Sequence, residues 1–187
     1  MNEHEQYLLD WADISWRDEK TPLSTRYGDI YWSGGLAEKQ YVFLDGNDIG
    51  RRLTELDDGT MFVVGEIGFG FGLNFLLTVL TWRKYAGEGK RLHYVSIENH
   101  PVHPNRLAEL YAFALAPSEQ LSELEADIVN EYAQRLLMQY PLPTHGAHTV
   151  WLDRDIRLTL ILDDAASLEN SRMSVDAWYL DGLSPAL

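Results

Sequence analysis

Three glycines at alternate positions, Gly68, Gly70 and Gly72, follow an apolar run that Glu66 interrupts. A glycine turn between a strand and a helix lets a ligand approach bare backbone at the helix N-terminus, where unpaired N–H groups point outward. Dinucleotide-binding turns use the spacing G-x-G-x-x-G, whereas the glycines here are spaced G-x-G-x-G. These residues predict a crevice that binds a nucleotide-containing cofactor, but they do not identify which cofactor.

Glu66 is the residue that discriminates between cofactors. A carboxylate two residues before the first glycine would repel the pyrophosphate of NAD by simple Coulomb repulsion. The same carboxylate would attract the amino group and sulfonium of S-adenosyl-L-methionine. Glu66 therefore favours S-adenosyl-L-methionine as the cofactor, with NAD as the alternative.

Acidic residues end four of the predicted strands: Glu66, Glu98, the pair Asp163–Asp164, and Asp181. In an open parallel sheet, ligands bind in the crevice beyond the carboxyl ends of the strands. An acid at the end of the second strand, here Glu98, suits the hydroxyls of a ribose. We therefore expect these acids to lie along one edge of the sheet and to face one ligand.

The elements that must position these acids follow from hydrophobic periodicity. Short apolar runs predict strands at 61–64, 92–97, 149–152, 157–162 and 177–180. Helical spacing predicts helices at 49–56, from Leu73 onward, and at 101–115, 118–140 and 166–168. The expected fold class is α/β, Rossmann-like, with a mostly parallel sheet. Strand composition at 30–32 and 40–44, around Gly34–Gly35, predicts a β-hairpin that covers this series.

Composition sets the limits of the functional classes. The chain has 187 residues, 45% of them hydrophobic, which is enough for one domain with a substantial core. It has no cysteine, so disulfides and thiolate metal sites are excluded, and the loop context of its histidines predicts no metal site. The net charge of −14 predicts weak unaided binding to nucleic acid. The acidic start lacks the pattern of a signal peptide and no apolar run is long enough to span a membrane, so a cytoplasmic location is expected.

Four segments in combination resemble one family: EIGFGFGLNF, YVFLDGN, SIENHP and DAWYLDGLSPA. They are similar to the methyltransferase domain of the bifunctional tRNA 5-methylaminomethyl-2-thiouridine biosynthesis proteins (MnmC), from about Thr21 to the last residue. The resemblance implies a Rossmann-like methyltransferase fold and S-adenosyl-L-methionine as cofactor. It implies methylation of the aminomethyl group on the wobble uridine of tRNA. It also implies a flavin-dependent partner domain or protein, which makes the amine that is methylated.

The resemblance further implies roles for single residues. The implied cofactor-binding residues are Glu66, Gly68, Gly70, Gly72, Glu98 and Asp164. Among them, Glu98 would bind the ribose hydroxyls and Asp164 would lie near the adenine. Asp181 would lie beside the reacting amine, where it could hydrogen-bond the amine and accept its proton.

The chain departs from the family at several positions. Phe71 stands in the glycine loop where the family usually has threonine, and Asp163 replaces the glycine of a Gly-Asp pair. The family's sequence continues into further strands, so residues 1–187 are expected to form a single, C-terminally truncated methyltransferase domain, with 1–56 packing on it. An NAD-dependent oxidoreductase and a catalytically inactive cofactor-binding or interaction module are the alternatives.

Overall fold

The computed structural model describes residues 7–18, 21–26, 28, 30–31, 35–170 and 172–181. The strands are β1 (Ile14–Arg17), β2 (Thr21–Ser24), β3 (Met61–Ile67), β4 (Arg91–Glu98), β5 (Gly146–Asp153), β6 (Ile156–Leu162) and β7 (Ala177–Leu180). The α-helices are α1 (Leu36–Lys39), α2 (Ile49–Thr54), α3 (Leu73–Tyr85), α4 (Pro104–Ala114) and α5 (Glu123–Gln139). A π-helical segment, Gln40–Asp45, continues α1, and a 3₁₀ helix spans Ala165–Asn170.

The main sheet has five strands in the order β5-β6-β4-β3-β7. β3 is parallel to both β4 and β7, and β4 is parallel to β6, whereas β5 is antiparallel to β6. The chain leaves β3 for β4 on one side and later returns to place β7 on the other. The strand order therefore reverses at β3, which is where open α/β sheets bind their ligands. The predicted Rossmann-like, mostly parallel sheet is confirmed.

The core lies between this sheet and the helices. Ten consecutive residues of α3, from Leu73 to Trp82, are buried, so this helix is covered on nearly all sides rather than along one stripe. Phe75 of α3 meets Tyr94 of β4 edge to face, with ring centroids 5.1 Å apart. Tyr94 in turn contacts Tyr179 of β7 at 6.1 Å. This aromatic stack anchors α3 and the glycine loop before it onto the centre of the sheet.

The structure has an N-terminal hairpin formed by residues 14–17 and 21–24, which is not the hairpin predicted at 30–32 and 40–44. β1 and β2 pair antiparallel, with Ile14 opposite Ser24, and the ring of Trp16 packs 6.4 Å from that of Phe71. The predicted strand at 40–44 is wrong, because these residues are π-helical and continue α1. The preceding Leu-Ala-Glu-Lys run forms helix readily, and exposed Tyr41 supplies no apolar face to hold a strand. The predicted turn at Gly34 lies outside the described residues.

Helix α5 begins later than the periodicity suggested. Ser122 is its N-cap and forms a capping box with Glu125, so the chain becomes helical at Glu123 and not at 118. Val129 and Leu136 on the inner face of this helix are fully buried, whereas Leu124 in its first turn is 71% exposed. Among the described residues, no helix is long and apolar enough to cross a membrane.

Candidate active site

The glycine loop joins β3 to α3 at the point where the strand order reverses. All three glycines have positive φ: 88° at Gly68, 51° at Gly70 and 68° at Gly72. Side chains with a Cβ rarely adopt this conformation, so the alternate glycines allow the chain to turn sharply between strand and helix. Gly72 also has no room for a Cβ, which would lie 2.7 Å from the ring of Phe69. The loop therefore presents bare backbone at the carboxyl edge of the sheet.

Glu66 is buried beneath this loop and is only 1% exposed. Asn74 Nδ2 donates to its Oε1 at 3.0 Å, and Ser96 Oγ donates to its Oε2 at 2.8 Å. Burial raises the pKa of Glu66 to about 8, the two hydrogen bonds lower it, and nearby Asp181 raises it further. The carboxyl group is thus largely protonated near neutral pH, and a cation placed beside it would stabilise the ionised form.

Asn74 connects Glu66 to Asp181. Its Nδ2 also donates to Asp181 Oδ2 at 2.9 Å, so one amide group bridges two carboxyl groups. The other side of this amide is an acceptor: Asn74 Oδ1 is buried and has no hydrogen-bond partner within the described part of the chain. Lys39 Nζ reaches the same Asp181 oxygen from α1 at 2.6 Å. The network therefore runs from Ser96 through Glu66, Asn74 and Asp181 to Lys39.

Glu98 ends β4 and supports the glycine loop. The backbone N–H of Gly70 donates to its Oε2 at 2.9 Å, and that of His100 donates to its Oε1 at 2.8 Å. Burial raises the pKa of this half-buried carboxyl group, although the backbone N–H groups around it act in the opposite direction. Each carboxylate oxygen retains lone pairs after these bonds. Glu98 can therefore accept further hydrogen bonds from a ligand's hydroxyl groups.

Asp164 lies farther along the edge, after β6. It is exposed, accepts a bond from the backbone N–H of Ala166 at 2.9 Å, and lies 3.4 Å from Asn99 Nδ2. The structure thus joins Glu66 and Asp181 in one network, holds Glu98 against the glycine loop, and places Asp164 nearer the end of β4. All the predicted site residues lie at the carboxyl edge of the sheet.

A cleft of about 690 Å³ continues from this edge toward the N-terminal hairpin. Its lining includes Asp10, Trp11, Asp13, Arg26, Tyr31 and His100. Tyr31 borders Gly70, because a Cβ on that glycine would lie 3.5 Å from the tyrosine ring. Phe71 is buried, with its ring centroid 5.5 Å from that of Tyr31. The bulky residue in the loop therefore packs against Tyr31 and against Trp16 of the hairpin.

These donors and acceptors fit S-adenosyl-L-methionine. The inner end of the site offers a ligand two acceptors, the Asn74 Oδ1 and the Asp181 carboxylate, and Glu66 becomes a third when a cation favours its ionised form. An ammonium or sulfonium group satisfies such a set, whereas a pyrophosphate would add negative charge to it. Among the described residues, no group of three histidine, cysteine or acidic side chains is arranged to hold a metal ion.

Sequence reasoning missed three members of the network. Asn74 and Ser96 carried a usable signal, because each is a polar residue within an apolar run, and such residues are buried only with partners. Lys39 carried none. It is one of 15 basic residues, and only the packing of α1 beside the end of β7 brings it to Asp181.

The strand order and the glycine loop define a Rossmann-like α/β fold, and the row of acids at its carboxyl edge is similar to that of methyltransferases. In agreement, residues 127–187 match the sequence profile of a family described as S-adenosyl-L-methionine-dependent methyltransferase. This match supports both the enzyme class and the cofactor expected from Glu66.

Curated relatives extend the similarity over nearly the whole chain. The chain is 38% identical over 181 residues to the tRNA 5-methylaminomethyl-2-thiouridine biosynthesis bifunctional protein MnmC of Hahella chejuensis, covering 95% of this chain and 27% of the relative. It is also 38% identical over 192 residues to the MnmC protein of Aeromonas hydrophila, covering 97% and 27%. The resemblance noted in the sequence is confirmed. The chain spans about a quarter of the length of these relatives.

A solved structure supports the fold. The crystal structure of MnmC2 from Aquifex aeolicus superposes with a TM-score of 0.61 at 20% sequence identity, covering 96% of this chain and 52% of the other. At that identity the likeness concerns the fold alone.

Proposed function

We propose that this chain binds S-adenosyl-L-methionine at the carboxyl edge of β3, β4 and β7 and transfers its methyl group to an amine on the wobble uridine of tRNA. The observation that carries the proposal is the Glu66–Asn74–Asp181 network beneath a glycine loop, in a chain similar to MnmC proteins. The network provides one set of acceptors for a cationic cofactor and a second carboxylate for an amine.

The residues would share the work as follows. Glu66 and Asn74 Oδ1 would hold the cofactor's amino group, the backbone of the glycine loop would lie against its methionine and sugar, and Glu98 would accept from the ribose hydroxyls. Asp164 would lie near the adenine. When bound, the cofactor supplies a methyl group on positively charged sulfur, which is reactive without further activation by the protein.

Asp181 would act on the substrate. An amine attacks a methyl group only through its lone pair, so it must be uncharged and aimed in line. A carboxylate beside it can hold one N–H, which aims the nitrogen, and can take the proton that methylation makes acidic. Asp181 is half-exposed and already fixed by Asn74 and Lys39, which suits a group that must meet a substrate from outside.

The natural substrate would be an aminomethyl-2-thiouridine in tRNA, by analogy with the names of the relatives. The relatives are bifunctional, so a flavin-dependent domain or protein that makes the amine is the partner we propose. The cytoplasm, where tRNA is modified, is the location that this substrate favours.

Calorimetric titration separates the two cofactor classes. We expect S-adenosyl-L-methionine and S-adenosyl-L-homocysteine to bind and NAD to bind at least about tenfold more weakly, because a phosphate beside the Asp181 carboxylate and the acceptor Asn74 Oδ1 costs more than about 1.4 kcal/mol. Tighter binding of NAD would reverse the assignment. Binding of the first two without methyl transfer to under-modified tRNA, with or without a flavoprotein partner, would identify a cofactor-binding module instead of an enzyme.

The first prediction concerns Asp181. Asp181→Asn removes the proton acceptor but keeps the shape of the side chain, so kcat should fall by about 100-fold or more while cofactor affinity changes less than about threefold. Single-turnover transfer of a labelled methyl group measures kcat, and calorimetry measures affinity. Asp58→Asn, in an exposed turn, is the control and should behave like the wild type. Full turnover by Asp181→Asn, with an unchanged pH dependence, would show that Asp181 is not the proton acceptor.

A further inference from the structure

Lys39 is held against the acid that we place beside the substrate. Its Nζ lies 2.6 Å from Asp181 Oδ2, its side chain is only 13% exposed, and Nζ lies 5.7 Å from the centroid of the Phe43 ring. A surface lysine normally keeps its ammonium in water. This ammonium is instead enclosed between a carboxylate and an aromatic ring, at the end of the buried network.

Titratable groups from several elements surround this pair. Glu66 of β3 and Tyr94 of β4 interact electrostatically with Asp181, and α3 contributes the uncharged Asn74. Tyr179 of β7 lies near Glu66 and near Arg52 of α2. Burial raises the pKa of both tyrosines, which therefore stay neutral, and Glu66 with its pKa of about 8 is largely neutral at pH 7. Within the described part of the chain, the ion pair at the reacting position thus consists of one negative charge on Asp181 and one positive charge on Lys39.

We propose that Lys39 is a positioning residue that keeps the substrate's aminomethyl group uncharged beside Asp181, an inference that rests on the proposed methyl transfer to an amine. The amine nitrogen bonds to the methyl carbon as the bond from that carbon to sulfur breaks, and the resulting ammonium loses one proton to Asp181. A lone carboxylate would stabilise the protonated, unreactive amine before this step. The Lys39 charge opposes that stabilisation while leaving the Asp181 oxygen available as an acceptor.

The size of the effect follows from Coulomb's law. A unit charge about 5 Å from the amine, in surroundings between water and a protein surface, changes the pKa of that amine by about one unit or more. Removing the Lys39 charge should therefore raise the pKa of the bound amine by about that amount, and at neutral pH the reactive fraction should fall by about tenfold.

Proton release on binding tests this without any turnover. The ligand is an anticodon stem–loop RNA that carries 5-aminomethyl-2-thiouridine, titrated in the presence of S-adenosyl-L-homocysteine, which has no methyl group to transfer. Calorimetry in two buffers of different ionisation enthalpy counts the protons released. At pH 7 the wild type should release a proton from the ammonium it binds as free base, and Lys39→Met should release markedly fewer. Lys39→Arg, which keeps the charge, should resemble the wild type.

The pH profile of kcat is the second measurement. The acid limb of this profile reports groups in the bound complex, so for Lys39→Met its midpoint should move upward by about one pH unit, with full rate recovered at high pH. Glu66 is present in the wild type and in every variant, so its contribution to the pH profile is common to all of them and cancels when the profiles are compared. Lys84→Met is the matched control, because Lys84 also pairs with an acid, Glu125, but on the helical side of the fold; neither its proton release nor its profile should change.

The outcomes are distinguishable. Proton release and pH profiles shared by wild type, Lys39→Met and Lys39→Arg would overturn the role of Lys39 while leaving methyl transfer intact. A rate loss in Lys39→Met that is equal at every pH, or one that Lys39→Arg does not recover, would show that Lys39 acts through packing and would also overturn it. A wild type that transfers no methyl group at any pH would contradict the proposed function itself.

Discussion

Glu66 shows how a single carboxyl group can be adapted to a cationic ligand. It is buried in the centre of the sheet, where uncharged groups such as Asn74 and Ser96 donate to it, so its ionised form is poorly stabilised until a positive charge arrives. The charge that the fold lacks at this point is the charge that the proposed cofactor brings. Binding energy and ionisation of Glu66 should therefore be coupled.

The second prediction tests this buried carboxyl group by replacement with its uncharged isostere. The pKa of Glu66 is raised from 4.5 to about 8 in the folded chain, so between these values the folded state holds a proton that the unfolded state has lost. Its contribution to stability is present below pH 4.5 and is lost as the pH rises through 8. Glu66→Gln should remove this loss. The ligand-free wild type should therefore lose stability between pH 5 and pH 8.5 while the variant does not. Over this range the free energy of unfolding of the variant, relative to that of the wild type, should rise by roughly 3 to 4 kcal/mol.

Urea denaturation at a series of pH values measures this difference. Asn74 can still donate to the amide oxygen, and the Ser96 hydroxyl can accept from the new NH₂ group, so the variant should fold. Stability curves that run parallel from pH 5 to 8.5 would show that Glu66 is ionised in the folded chain already.

At the scale of elements, the glycine loop owes its shape to backbone conformation and to the packing behind it. Gly70 and Gly72 share positive φ, but their surroundings differ. Gly70 faces the edge of the Tyr31 ring, whereas Gly72 lies against Phe69, which packs on Phe75 at 6.3 Å and on Tyr140 at 6.5 Å. The first position is constrained by conformation alone and the second by conformation and volume.

The third prediction compares alanine at these two glycines. Gly70→Ala should cost about 1 to 2 kcal/mol, the strain of a Cβ in the left-handed region. Gly72→Ala should cost about 1 to 3 kcal/mol more, because its Cβ would lie 2.7 Å from the Phe69 ring and force that ring to move. Chemical denaturation of the two variants measures both costs, and each variant is the other's control for strain. Equal losses in the free energy of unfolding would mean that the Phe69 ring moves aside at no energetic cost.

At the scale of the whole molecule, net charge limits how the chain can meet its proposed substrate. A charge of −14 repels a polyanion, and the 15 basic residues are scattered along the sequence. Arg83 and Arg135 are already held by Asp153, at 3.0 Å and 3.2 Å, which leaves fewer cations for phosphate. Recognition of tRNA by this chain should therefore depend on the modified base more than on the backbone.

The fourth prediction is a shallow dependence of RNA affinity on salt. A protein that neutralises 6 to 10 phosphates loses about 10³- to 10⁵-fold in affinity between 50 and 200 mM salt. This chain should lose about 4- to 16-fold over the same range, with a logarithmic slope of about −1 to −2. Fluorescence anisotropy with a labelled anticodon stem–loop measures the slope, and an unmodified stem–loop is the control for base recognition. A steep slope would reveal a basic surface that the net charge conceals.

Much of the fold was predictable from local pattern. Three adjacent segments each specify one local conformation: the apolar run before Glu66, the glycines after it and the leucines from Leu73. The positions of the acids at the strand ends could be identified once the strands were assigned. The errors arose where local pattern and packing disagree. The run at 40–44 has strand composition, but no strand among the described residues pairs with it, and the helix predicted from 118 begins at Glu123, after the Ser122 cap.

The sequence alone determined the parts of the site that depend on residue type within one segment: the glycine turn, a carboxylate before it, an acid after each later strand, and the family that these segments resemble. The tertiary structure decided which of these groups meet. Glu66 and Asp181 are far apart in the chain, and they share one donor only because β3 and β7 are neighbours at the point where the strand order reverses. Lys39 joins them through the packing of α1, a contact between distant residues that no periodicity encodes.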